Sequence, residues 1–158
     1  MSLKTARIRD VKHPVASEGG SMGRFRVELE LANYEDMILA KAGHLDPKQV
    51  RRLQIPGVVD SGATSLVLPE NTAKELGLPR GGSFKVRYAD QRQAKRDKVK
   101  DVWLRLLGRD GVFTAMVEPK RRDALIGAIV LEELDLVVDC RSQKLYPRDP
   151  KQIVVEIE

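Results

Sequence analysis

Asp60, Ser61 and Gly62 are the residues of this chain best placed to do chemistry. Val58 and Val59 lead into the carboxylate as an apolar strand, Ser61-Gly62 makes a tight turn with a local hydroxyl, and Leu66-Val67-Leu68 returns the chain to the core. A carboxylate presented at the end of a buried strand suits general acid and base work. Other reactive side chains have weaker surroundings. Ser61 sits in no Gly-x-Ser-x-Gly elbow and no histidine has a recognisable place beside it, which argues against a serine nucleophile. Cys140, the single cysteine, has no evident base and reads as an inert thiol; alone, it excludes an internal disulfide framework and a multi-cysteine zinc cluster. His13 and His44 stand far apart with no ligand partner at helical spacing, so they read as surface histidines and not as metal ligands.

The run Asp60-Ser61-Gly62-Ala63-Thr64 resembles the Asp-Thr/Ser-Gly-Ala signature of the retroviral-type (retropepsin-like) aspartic proteases of clan AA. Downstream, Ala124-Leu125-Ile126-Gly127 followed by Leu131 to Asp139 is similar to the apolar-apolar-Gly element and short helix that close the active-site loop in that family. The order and separation of the two pieces also fit, and the resemblance covers the chain from about Gly23 onward. It implies a mostly β, closed acid-protease barrel with one or two short helices and one lobe per chain. Residues 23–158 would form this domain, preceded by residues 1–22 as a flexible arm or an added edge strand.

Hydrolysis by aspartates needs two carboxylates close together, so that repulsion leaves one protonated and the other ionised near the working pH; aspartic proteases are themselves the reference case for this split. With 158 residues and one Asp-Ser-Gly, the chain is too short for two lobes, which implies a homodimer with its site on the two-fold axis. The resemblance then implies that Asp60 from each chain activates one water against a peptide bond, with no metal, cofactor or covalent intermediate required. It implies that Ser61 locks the two loops across the axis, that the Gly62 N–H donates to the carboxylate, that Ala63 packs and that Thr64 bonds locally. Ile126 and Gly127 would pass behind the loop. The hairpin around Tyr88-Ala89-Asp90-Gln91-Arg92 corresponds by position to the flap that closes over substrate. Its tip carries no glycine, and Ala128-Ile129 and Thr64-Ser65 stand where viral enzymes carry charged dimer contacts, so those contacts must differ here.

The elements that must position these residues are legible in outline. Phe25, Val27, Leu29 and Leu31 alternate with Arg24, Arg26, Glu28 and Glu30, the period of a half-buried antiparallel strand. Residues 33–54 read as a long excursion with a short helix started at Leu45-Asp46-Pro47. Residues 69–79 read as a helix of about two turns stopped by Gly77 and Pro79. Phe84, Val86 and Tyr88 run out into a long hairpin that returns through Val99 to Leu107. Asp110-Gly111 marks the tip of a second hairpin, Trp103 falls in an apolar alternation as a core residue, and residues 152–158 read as a terminal strand.

Net charge is +5, and seven cations against two carboxylates lie between Lys85 and Lys100. This run reads first as a solvated hairpin face; it could favour acidic substrates, while nucleic-acid binding is the weaker reading, because stacking aromatics are missing apart from Tyr88. Arg121-Arg122 reads as a solvated turn, and Asp135 and Asp139 as surface residues at element ends. No run of about 18 apolar residues exists, which with the lone cysteine leads to the expectation of a soluble, cytoplasmic protein without a membrane span. The expected partners are a second copy of the chain and a peptide or protein substrate. The alternative is a peptide-binding or dimerisation module that keeps this fold without turnover.

Overall fold

The computed structural model describes residues 24–158. The arm expected over residues 1–22 and His13 lie outside the described residues. Alternation produces the first strand, β1 (Arg24–Asn33), whose Phe25, Val27, Leu29 and Leu31 are all buried. It pairs antiparallel with β2 (Arg52–Asp60) in a register that sets Arg24 opposite Asp60. Between them Asn33 caps α1 (Tyr34–Lys41) by accepting from the Asp36 N–H at 3.0 Å. The helix therefore starts at Asn33, and the expected start at Asp46-Pro47 opens only a 3-10 turn, Pro47–Gln49. A buried polar residue directly after an apolar strand looked like loop; its amide also donates to the Leu76 and Gly77 carbonyls, which ties α1 to the next helix.

After β2 come β3 (Leu66–Pro69), fully buried, and α2 (Glu70–Glu75), the short helix expected after the loop. The long hairpin is β4 (Arg80–Arg87) and β5 (Gln93–Leu106), and β5 turns into β6 (Arg109–Glu118). The tip of this second hairpin is Leu107-Gly108, not Asp110-Gly111, because the register sets Leu106 opposite Arg109. Leu107 and Gly108 both hold positive φ, 54° and 76°, the geometry of a two-residue turn matched to strand twist. Trp103 is buried as expected, and its Nε1 donates to Asp110 at 3.1 Å. Then follow β7 (Ala124–Ile126), α3 (Ala128–Glu133), and a separate hairpin of β8 (Leu136–Asp139) and β9 (Lys144–Pro147).

The large sheet has the order β1-β2-β7-β3-β6-β5-β4, and β1 also pairs with β5, so six strands close into a barrel with β4 projecting as half of the long hairpin. The molecule is mostly β with few short helices, the barrel inferred from the sequence. Its core joins β1, β3, β5 and β6 to α3 through Leu31, Leu66, Leu68, Leu104, Phe113 and Val130. The expected terminal strand is absent: residues 152–158 pair with no strand. Alternating Ile153, Val155 and Ile157 are exposed, and polar groups hold the segment instead. The Val154 N–H donates to Asp135, the Val154 carbonyl accepts from Arg148, and Arg109 donates to the carbonyls of Asp149 and Gln152. Among the described residues no helix is long and apolar enough to cross a membrane.

Candidate active site

Asp60 is the last residue of β2, and only 13% of its side chain is exposed. Each oxygen has a partner. Oδ1 accepts from the Gly62 N–H at 3.0 Å, and Oδ2 accepts from Arg24 Nε at 2.9 Å. The Asp60 carbonyl accepts from the Ala63 N–H at 3.1 Å, closing the turn that leaves Ser61 and Gly62 exposed.

The loop is held from behind by β7 and α3. β2 runs parallel to β7, pairing Val58 with Leu125 and Val59 with Ile126, while Val67 of β3 pairs antiparallel with Leu125. Crossing from β7 to α3, the chain donates from the Ala128 N–H to the Ala63 carbonyl at 2.8 Å and from the Ile129 N–H to the Thr64 carbonyl at 3.0 Å. Gly127 permits this approach: a Cβ there would lie 2.6 Å from both the Ser65 oxygen and the Thr64 carbonyl carbon. Ile126 is fully buried and Ala63 half-buried beneath the turn. The residues from Asp60 to Thr64 and the pair Ile126-Gly127, read from two distant pieces of sequence, thus meet in one place.

The hairpin tip is fixed elsewhere. The Tyr88 N–H donates to the Arg92 carbonyl at 2.9 Å and the Gln91 N–H to the Tyr88 carbonyl at 3.0 Å, with Gln91 at φ 71° and Ala89 exposed between. Asp90 pairs with Arg92 at 2.6 Å, which holds its carboxyl below the ordinary range. From the tip, the Tyr88 hydroxyl donates to Glu118 Oε1 at 2.7 Å and Arg96 Nε reaches Glu118 Oε2 at 3.3 Å. The guanidinium groups of Arg92 and Arg96 lie over the Tyr88 ring at 5.0 and 5.8 Å. The described bonds of the tip run to the end of β6 and not to the Asp60 loop.

Three residues at this site escaped the sequence reading. Arg24 looked like a solvent-facing residue of an alternating strand; only the β1–β2 register brings it to Asp60. Glu118 had no signal, since its partners lie far away in sequence on the hairpin. Arg121 is half-buried, contrary to its reading as part of a solvated turn. Burial lowers its pKa, Arg24 lowers it further, and the charges of Asp123, Glu118 and Asp60 act against that. Its Nε donates to the Asp123 carbonyl at 2.7 Å, and Asp123 in turn pairs with Arg26 at 2.9 Å. Arg24 thus bonds Asp60 directly and Arg121 lies within electrostatic reach of it, while Arg26 is engaged by Asp123. Among the described residues, no three of His, Cys, Asp and Glu gather to hold a metal ion.

No curated protein matches the chain. The sequence model of one family, aspartyl protease, matches residues 49–130, which is just over half of the chain and contains both the Asp60 loop and the Ile126-Gly127 crossing. On that match and this barrel, the chain belongs to the retropepsin-like aspartyl protease family.

Proposed function

We propose that the protein is an aspartic endopeptidase that works as a homodimer, with Asp60 from each chain forming the acid and base pair. The observation that carries this reading is the Asp60 loop: a nearly buried carboxylate, bonded by the Gly62 N–H, on a turn whose Ser61 and Gly62 face solvent. A second copy meeting that turn about a two-fold axis would bring the two carboxylates together. One takes a proton from a water held between them, and the other donates to the scissile carbonyl oxygen; the attacked carbon becomes tetrahedral and the proton passes to the leaving amine. Arg24 Nε occupies Oδ2 in the single chain, so assembly has to turn this guanidinium aside or leave it on the outer oxygen. The hairpin, latched to Glu118, covers the substrate and excludes water.

The test compares wild-type protein with Asp60→Asn on a diverse peptide library between about pH 3.5 and 7.5, where a carboxylate pair sharing a proton titrates. Cleavage by the wild type alone is expected, with both proteins dimeric. Folded dimers that bind peptides yet cleave nothing would give the site to the non-catalytic peptide-binding reading instead.

A further inference from the structure

The long hairpin carries a charge conflict of its own. Lys85 of β4 lies directly opposite Lys95 of β5, and Arg87 opposite Gln93. The two carboxylates between Lys85 and Lys100 are already engaged, Asp97 by Arg80 at 2.7 Å and Asp90 by Arg92 at 2.6 Å. Lys85 and Lys95 are exposed and have no carboxylate partner among the described residues. Like charges directly across an antiparallel pair repel, and an anion placed between them removes the penalty.

The two lysines also border a concavity. An open hollow of about 430 Å³ is lined by both, together with Ser83, Gln93 and the half-buried Phe84 and Ala94. Ser83 and Phe84 line a second, larger hollow of about 630 Å³ as well, and that one reaches Ser65 and Leu66, directly after the Asp60 loop. The two hollows share Ser83 and Phe84 in their linings, and the second also includes Lys98.

We infer that Lys85 and Lys95 form an exosite that seats an acidic side chain of the peptide substrate, so that the protein selects substrates with Glu or Asp some residues away from the cleaved bond. This rests on the peptidase reading for its substrate. An acidic peptide is favoured over a nucleic acid because the one ring at the hairpin tip, Tyr88, is already covered by Arg92 and Arg96 and bonded to Glu118, which removes the stacking surface that single strands use.

The experiment uses the full chain carrying Asp60→Asn, so that binding is read without cleavage. Fluorescence anisotropy follows two labelled peptides identical except for Glu or Gln at the flanking position. The Glu peptide should bind about five-fold to ten-fold more tightly, as two exposed ion pairs allow. The preference should vanish in Lys85→Gln/Lys95→Gln and survive in Lys85→Arg/Lys95→Arg. The Gln pair relieves the cross-strand repulsion and should melt no lower than the parent, so loss of binding cannot be loss of fold. Equal binding of both peptides, or a preference untouched by the Gln pair, overturns the inference. So does a single-stranded oligonucleotide of equal charge that binds more tightly than the Glu peptide. A lysine-dependent Glu preference in a protein whose wild type cleaves nothing would support the exosite while refuting the peptidase, which separates the two ideas.

Discussion

Gly127 lies directly behind the backbone of Ser65, so close that a single added methyl group would meet the Ser65 oxygen and the Thr64 carbonyl carbon at 2.6 Å. The obstacle is backbone on both sides, so no side-chain rotation relieves it. Gly127→Ala is therefore expected to lower stability by about 1–3 kcal/mol as a packing insertion. It should also displace the Asp60 turn through the Ala128-to-Ala63 bond. Urea denaturation measures the first effect. Retained urea midpoint with full peptide cleavage would show that the crossing does not support the loop.

Asp36 is buried and accepts from Arg51 three times, from Nε at 2.8 Å, Nη2 at 3.0 Å and the backbone N–H at 3.1 Å. The Arg51 side-chain bonds are the main reason its carboxyl is held below the ordinary range, and burial opposes them. A carboxyl lowered in the folded state adds stability that is complete above its unfolded value, near pH 4, and that fades as pH falls through the lowered one. Asp36→Asn should thus be less stable than wild type at neutral pH by about 1–3 kcal/mol, and the two should converge in acid. Urea midpoints measured at a series of pH values check this; a gap that stays constant into acid would refute the ionic account.

Tyr88 bonded to Glu118 holds the hairpin tip against the end of β6. Tyr88→Phe keeps the ring for Arg92 and Arg96 and removes only the hydroxyl. Loss of one charge-assisted bond of about 1.5 kcal/mol corresponds to roughly ten-fold faster opening. Hydrogen exchange at the Tyr88 and Gln91 amides, both bonded within the tip, reads this opening directly. Unchanged exchange would mean that the latch contributes nothing.

Local signals made much of this molecule readable. Strict alternation gave β1, and Asp60-Ser61-Gly62 between apolar strands gave the loop, because both depend on neighbours in sequence. The errors arose where distant partners decide. Asp110-Gly111 carries the stronger turn chemistry, yet pairing of Leu106 with Arg109 moves the turn to Leu107-Gly108. Ile153 to Ile157 alternate like a strand, yet Asp135, Arg148 and Arg109 hold that region by polar bonds and it joins no sheet. Arg24 is indistinguishable from Arg26 by pattern, and only register makes it the partner of Asp60.

Mixing wild-type protein with excess-free, equal amounts of Asp60→Asn, after dissociation and reassembly, tests the central claim that two chains supply one site. If each active unit needs Asp60 from both subunits, random pairing leaves about one quarter of the dimers competent, and cleavage per total protein falls to about a quarter of that of wild type. Cleavage at about half the wild-type level, the proportion of intact chains, would mean that each chain acts alone and would contradict the shared carboxylate pair.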